Sequence, residues 1–252
     1  MINRDELINY CNEFLMISNY QDYSPNGLQV QGNDMIKTII TGVTACQQLI
    51  NEAISKNADL LLVHHGYFWK NEPEIIVGMK YNRIKALVNS NINLAAYHLP
   101  LDGHPSLGNN FCLGELLEIE TKSILSVDNN PGMVYVGELK TATSAENFKQ
   151  LINEKLARQT FMEASSDKEI KKVAWCTGGA QDFIFNAIES GADAFITGEV
   201  SERTVHIARE NNIAFYAAGH HATERAGIKA LGEHIASKFN IEHEFIDVPN
   251  DV

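Results

Sequence analysis

Leu60-Leu61-Leu62-Val63-His64-His65-Gly66-Tyr67-Phe68-Trp69 is the stretch on which the fold turns. Four large apolar residues stand in a row without a polar interruption. Such a short, continuous run fits a strand buried on both faces. Two imidazoles follow at once, then a glycine and an aromatic cluster. Open α/β sheets place their chemistry outside the carboxyl ends of their strands. His64 and His65 are therefore candidates for metal binding or catalysis. Taken alone, the pair also fits two histidines satisfied by backbone partners in a turn.

The flanking sequence places this strand in a β-α-β unit. Residues 37–43 read as a strand with Ile39 and Ile40 inward. Thr44 is positioned to cap a helix reaching about residue 57, with Leu49, Ile50, Ala53 and Ile54 on its inner face. Short connections between two strands and a helix require parallel strands. A second helix, about 81–90, leads to a strand at 92–97. It ends in His98-Leu99-Pro100-Leu101-Asp102-Gly103-His104-Pro105, a polar loop rich in helix breakers.

Upstream, Asn3 and Glu6 form a capping pair for a helix whose Leu7, Ile8, Cys11, Phe14 and Leu15 share one face. That start lacks the basic, apolar and small-residue segments of a signal peptide, so the cytoplasm is the expected compartment. Ser24-Pro25-Asn26-Gly27-Leu28-Gln29-Val30 reads as a turn followed by a strand. Downstream come a helix at about 109–117, a loop at 128–132 and a strand at 133–139. Ser144 caps a helix to about 156, and 163–172 reads as a polar surface connection.

A recurrence then emerges. Residues 37–65 superpose without a gap on 171–199, at a constant offset of 134. Lys37 falls on Lys171, Gln47 on Gln181, Ile50 on Ile184, Ala53-Ile54 on Ala187-Ile188, and Ala58-Asp59 on Ala192-Asp193. We read this as an internal repeat; convergence of two amphipathic β-α-β units is the alternative. The offset sets His64-His65 over Gly198-Glu199. Further on, Leu113-Gly114-Glu115 matches Leu231-Gly232-Glu233 at an offset of 118, which sets Asp102 over His220. The expected architecture is α/β: two similar lobes with mainly parallel or mixed sheets flanked by helices. The lobes, 1–125 and 126–252, would be related by a pseudo-twofold repeat and share a cleft, with the C-terminal helix packing back on the first.

Composition excludes several classes. A net charge of −12 repels phosphate backbones, so general nucleic-acid binding is not expected. No apolar run has membrane-spanning length, and no basic amphipathic helix marks a membrane surface. Cys11, Cys46, Cys112 and Cys176 contain no Cys-x-x-Cys pair, so no thiolate zinc site is indicated.

A second constellation follows the last strand, 213–216. His220 and Glu224 are four apart at the start of a helix, on one face and stacked over a turn. A polar helix N-terminus would also account for them. Together, His64, His65, Asp102, His220 and Glu224 supply imidazole and carboxylate donors at three strand ends. Three histidines and two carboxylates suit two divalent ions such as Zn, Mn, Fe, Co or Ni. They leave positions open for water or substrate.

So assembled, the chain resembles the Ngg-interacting-factor-three-like (Nif-three-like) family. The closer likeness is to its small bacterial YbgI type, often called GTP cyclohydrolase 1 type 2 homologues. The resemblance rests on Pro25-Asn26-Gly27-Leu28-Gln29-Val30, Val63-His64-His65-Gly66, His98-x-x-x-Asp102, Thr197-Gly198-Glu199 and Gly219-His220-x-x-Thr223-Glu224, in that order. It implies a dinuclear metal cleft between two α/β lobes and a toroidal homohexamer with its sites facing the cavity. By motif match it implies His64 and Asp102 on one metal, His65 and His220 on the other, and Glu224 bridging.

Other residues fall around this set. His98 fits a general acid or base, a support for a ligand, or a structural loop histidine. Glu199, at the repeat position of His65, fits a residue that positions water or orients a metal-bound histidine. His98 and Glu199 are the candidate catalytic pair. His104 fits a cleft-lining role, and Arg225 an anion contact if turned inward. His206, His234 and His243 read as surface residues, and Tyr67, Phe68 and Trp69 as subunit-packing aromatics. The expected activity is metal-dependent hydrolysis of a nucleotide- or pterin-like small molecule, its phosphate drawn to the metals. The alternative is a non-enzymatic metal-binding scaffold or regulatory ring.

Overall fold

The computed structural model describes residues 1–164 and 168–252. In chain order the strands are β1 (Ile2–Asn3), β2 (Gly27–Val30), β3 (Met35–Ile36), β4 (Thr38–Thr44), β5 (Leu60–His65), β6 (Asn93–Ala96), β7 (Ile119–Val127), β8 (Asn130–Thr143), β9 (Phe161–Glu163), β10 (Ile170–Trp175), β11 (Ala194–Thr197), β12 (Ala214–Ala217) and β13 (Glu242–Phe245). The helices are α1 (Arg4–Phe14), α2 (Gln47–Ser55), α3 (Gly78–Asn89), α4 (Leu99–Asp102), α5 (Asn109–Leu116), α6 (Ala145–Leu156), α7 (Ile184–Glu189), α8 (Glu202–Glu210) and α9 (His220–Phe239). The fold is mixed α/β, with sheets flanked by helices.

The chain divides into two compact units. Unit 1 is Met1–Leu101 with Gly227–Val248; unit 2 is Asp102–Ala226 with Pro249–Val252. The crossings differ from the linear division expected at 125/126: the chain leaves unit 1 after Leu101 and returns within α9.

Unit 1 carries a five-stranded sheet of order β13-β4-β5-β6-β2. The first four strands are parallel, and β2 runs antiparallel to β6. The opening stretch is its central strand: Leu60, Leu61, Leu62 and Val63 are all fully buried. Each such side chain contributes about 1.5–3 kcal/mol of transfer free energy. The helix cap expected at Thr44 sits two residues later, because Thr44 still belongs to β4; Cys46 is the cap. Asn3 caps α1, accepting from Asp5 and Glu6 N–H.

Unit 2 carries a six-stranded sheet of order β7-β8-β10-β11-β12-β9, with β10, β11 and β12 parallel. Its strands alternate between two cores. Val173, Trp175, Ile196 and Tyr216 pack with Phe148 and Ile152 of α6. Ala174, Cys176, Phe195 and Phe215 pack with Ile184 and Ala187 of α7. Ser144 caps α6 through Asn147 N–H. Of the polar connection expected at 163–172, residues 165–167 lie outside the described residues; its ends belong to β9 and β10.

The ungapped recurrence is visible in the strand registers. Ile39 pairs with Leu60 in unit 1, and Val173 with Ala194 in unit 2, each displaced by 134. Asp59 accepts from Lys37 and Thr38 N–H at 2.8 and 3.1 Å. Asp193 accepts from Lys171 and Lys172 N–H at 3.1 and 2.9 Å. The second offset does not carry to the strand end. Leu60 pairs with Asn93 and Ala194 with Ala214, an offset of 121, so His98 rather than Asp102 precedes by that step the turn residue Gly219. After β6 the chain enters the proline-bearing α4, whereas after β12 it passes straight into α9.

Two histidines read as surface residues are half-buried in unit 1. His234 Nε2 lies 2.6 Å from the Tyr10 hydroxyl, and its ring stacks on Phe14 at 4.4 Å. Burial lowers its pKa. His243 Nε2 lies 2.8 Å from Thr41 Oγ1 on the neighbouring strand. A Cβ on Gly232 would meet that ring at 2.2 Å. His206 is exposed, beside Glu202.

Candidate metal centre

In unit 1 the site is built where β5 and β6 end. His64 is buried and donates from Nδ1 to the Tyr97 carbonyl at 2.9 Å. A carbonyl only accepts, so the neutral ring carries its lone pair at Nε2. His65 Nδ1 lies 3.1 Å from Thr44 Oγ1 on β4. His98 Nδ1 lies 2.9 Å from the Asp22 carboxylate. The three rings converge: one nitrogen from each lies within 4.8 Å of the others. His64 and His65 are sequence neighbours, yet their centroids are only 4.5 Å apart, because the strand stops at His65.

The Pro25-Asn26-Gly27-Leu28-Gln29 segment, read as a turn leading into a strand and as one of the motifs of the resemblance, braces both strand ends. Asn26 Oδ1 accepts from His98 N–H at 2.8 Å. Gln29 Oε1 accepts from Tyr67 N–H at 2.7 Å, and a Cβ on Gly66 would meet that oxygen at 2.2 Å. The same Cβ would meet Ala96 Cβ at 2.7 Å, so a bare glycine after the histidine pair is a packing requirement. Asp22 is the residue the sequence reading missed. Its carboxylate also takes Ser24 N–H, Asn26 Nδ2 and Leu99 N–H. Burial raises its pKa, but these hydrogen bonds and His98 outweigh burial and hold it low. The only sequence signal was an Asp-x-Ser turn before the Pro-Asn-Gly. The expected aromatics divide: Tyr67 is buried with its hydroxyl on the Ala45 carbonyl, while Trp69 stands edge-on to His98 at 5.0 Å.

In unit 2, Asp102, His220 and Glu224 are set by α4, β10 and the first turn of α9. Asp102 Oδ1 accepts from Asn109 Nδ2 at 2.8 Å and Thr177 Oγ1 at 3.3 Å. Glu224 Oε1 lies 3.2 Å from His220 Nε2, and Glu199 Oε1 lies 2.6 Å from His220 Nδ1. Burial opposes protonation of His220, yet Glu224 and then Glu199 lift its pKa to about 9. Burial and the charges of Asp102 and Glu224 push the Cys176 thiol well up. The chain passes Glu224 as bare backbone at Gly178, where φ is +69° and a Cβ would meet Glu224 Oε1 at 2.2 Å. Glu199 thus touches His220 directly. His104 is buried, with Nδ1 accepting from Ser106 N–H. Arg225 donates from Nη2 to the Leu156 carbonyl.

The donor set suits a divalent transition ion. Metal-bound histidines characteristically give their second ring nitrogen to a carbonyl or carboxylate, which fixes the tautomer. His64, His98 and His220 have such partners, and His65 has a hydroxyl.

Fold and donors define a class: a mixed α/β protein of two sheet-bearing units, each ending strands in imidazole or carboxylate groups able to bind metal. The family model described as Duf34/NIF3 (NGG1p interacting factor 3) matches residues 2–251, and the chain belongs to that family. It is 52% identical over 250 residues to a Haemophilus influenzae protein named GTP cyclohydrolase 1 type 2 homolog, covering 99% of each chain. It is 50% identical over 246 residues to the Yersinia pestis protein of the same name, covering 97% of this chain and 98% of that one. A solved structure described as protein ybgI, of unknown function, matches with a TM-score of 0.95 at 46% identity over 100% of both chains. Among the described residues no helix is long and apolar enough to cross a membrane.

Proposed function

We propose that this protein is a dinuclear metal-dependent hydrolase acting on a nucleotide- or pterin-like small molecule. His64, His65, Asp102, His220 and Glu224 would hold the ions. One observation carries the reading: His64 has Nδ1 on the Tyr97 carbonyl and His220 has Nδ1 on Glu199, the carbonyl and carboxylate backing that metal-bound histidines characteristically have. The relatives' name supports a nucleotide-like substrate. Bound divalent ions would supply a water of lowered pKa and polarise the bond under attack. The chain's own residues do the rest. Glu199 holds the His220 ring in plane, and Asp22 holds His98 with Nε2 forward to take or give a proton. The metals would draw a substrate phosphate into an otherwise acidic protein.

The test is a panel of phosphoester, amide and cyclohydrolase substrates. On any substrate turned over, Asp102→Ala and Glu224→Ala should lose at least about a thousandfold in kcat while keeping the native circular dichroism. Full activity in both folded variants would contradict the mechanism.

A second reading, a metal-binding ring that serves as a protein scaffold, is favoured by one surface feature. Ile75, Ile76, Val77 and Met79 form an exposed apolar run. Such patches serve protein contacts, and the same run suits assembly into the homohexamer the family resemblance implies. Metal-loaded protein inactive across the whole panel would favour the scaffold.

A further inference from the structure

We propose that unit 1 carries a binding site for a linear diamine or polyamine, in the cavity between the ends of α2 and α3, with Asp59 as its anionic anchor. The site is independent of the reading above.

The cavity measures about 420 Å³ and is lined by Asn33, Ile54, Asn57, Asp59 and Ser90, among others. That volume falls in the range of small-molecule sites. Asp59 stands before the first residue of β5. At about 3.3 Å per strand residue it lies about 16 Å from His64, at the other end of the strand.

Two helices end at this cavity. α2 is capped by Lys56 and α3 by Ser90, and neither has a basic residue in its last turn. Helix C-termini carry partial negative charge and favour cations. Asp59 adds a full charge. Its carboxylate partners among the described residues are neutral: Lys37 and Thr38 N–H on Oδ2, and Asn33 Nδ2 on Oδ1 at 3.1 Å. The neighbouring ammonium groups turn to β13 instead, Lys37 Nζ to Glu242 at 3.6 Å and Lys56 Nζ to Glu244 at 2.8 Å.

The internal repeat shows what such a place takes. At the offset of 134, Asp193 stands for Asp59, Ser190 for Lys56 and Lys172 for Thr38. Lys168 Nζ lies 2.5 Å from Asp193 Oδ1. Lys172 Nζ donates to the carbonyl of Ser190, the cap of α7. Unit 2 thus supplies two ammonium groups of its own, one to the carboxylate and one to the helix end. In unit 1, Asn33 gives the carboxylate a neutral amide, and Thr38 turns its hydroxyl to Glu242. A diamine restores both contacts: one ammonium on Asp59, the other on the Lys56 carbonyl, with its methylenes along Ile54. Each ammonium has three donors, and Asn57 and Ser90 add side-chain oxygens for those left over. The net charge of −12 draws polycations to the chain, and the paired acceptors select two ammonium groups on one flexible stem.

The experiment titrates the full chain with putrescine in a calorimeter, in the presence of chelator so that the diamine meets no metal. Wild type should bind one equivalent. Butylamine, which has the reach of a lysine side chain but a single charge, should bind at least about tenfold more weakly. Asn33→Lys, at an exposed position, supplies from the chain the cation that Lys168 supplies in unit 2. It should weaken putrescine binding at least about tenfold and leave thermal stability intact. Asp59→Asn should weaken binding as much. Glu210→Gln, at an exposed position of unit 2, changes the net charge by the same one unit and should leave the affinity as it is. Equal losses in all three variants would mean general attraction to an acidic surface and overturn the proposal. Butylamine binding as tightly as putrescine would point to a docked lysine and overturn it as well. So would a wild type without saturable binding, or wild-type affinity in Asn33→Lys, whatever Asp59→Asn does.

Discussion

The segments β4-α2-β5 and β10-η-α7-β11 (its first helical turn, Gln181–Phe183, is 3-10) do the same structural work and end in different chemistry. Each pairs its strands in the same register, and each closes the start of its first strand with one aspartate, Asp59 or Asp193, accepting two successive backbone N–H groups. At the strand end the likeness stops. Unit 1 places His64 and His65 there; unit 2 places Gly198 and Glu199. Gly198 has no room for a side chain, since a Cβ would meet the Gly178 carbonyl oxygen and His220 Cα, both at 2.6 Å. The backbone of the next element occupies in unit 2 the space an imidazole would need. Its histidine therefore comes from α9, with Glu199 behind it. Shared scaffold and divergent strand ends let two like segments present unlike side chains.

The largest expected effect comes from forcing the ends to match. Gly198→His should destabilise by about 3 kcal/mol in urea unfolding, because the colliding atoms are backbone. Wild-type stability would show that the strand ends are interchangeable after all.

Next in size is the clamp. Asp59→Ala and Asp193→Ala should each cost about 1–3 kcal/mol, since each strands two backbone donors. Similar costs sharpen the comparison; a cost in one alone breaks it. The Asp193 cost should also depend on pH. Burial raises the Asp193 pKa, but Lys168 and the two backbone N–H groups lower it further, below the ordinary 3.8. A depressed carboxylate stabilises the fold above its unfolded pKa, and that stability is lost as pH falls through the folded value. The Asp193→Ala deficit should therefore be full at pH 6 and shrink below about pH 3.8.

Smaller effects separate the supports of the two histidines. Glu199→Gln should weaken metal binding about tenfold in chelator competition, because a charged acceptor behind His220 is lost. Thr44→Val, behind His65, should cost less than about threefold, since a neutral hydroxyl gives less. The reverse order would mean that Glu199 does not orient a ligand.

Local signals in the sequence reached far into this fold. The Leu60–Val63 run, the Asn3 and Ser144 caps and the His220/Glu224 spacing each act within a few residues, so each could be read. What escaped depends on distant partners. β7 shows no alternation, because Glu120, Thr121, Lys122 and Ser123 are all exposed on an edge strand. β13, Glu-His-Glu-Phe, looks like a polar tail until it pairs with β4, about two hundred residues earlier. His234 and His243 looked like surface residues for the same reason: α1 and β4 cover them. Asp22 holds a histidine 76 residues away, and nothing local announces that. Among the candidate site residues, Glu199 behind His220 was legible from its repeat position, and Asp22 behind His98 was not.

The central claim is a two-ion centre on His64, His65, Asp102, His220 and Glu224. Metal analysis of protein purified without chelator, joined to anomalous diffraction from its crystals, tests it most directly. The expected result is two divalent ions per chain, bonded to those five side chains with Glu224 touching both. Metal-loaded crystals with no anomalous peak at these residues, or with ions bound elsewhere, would contradict it.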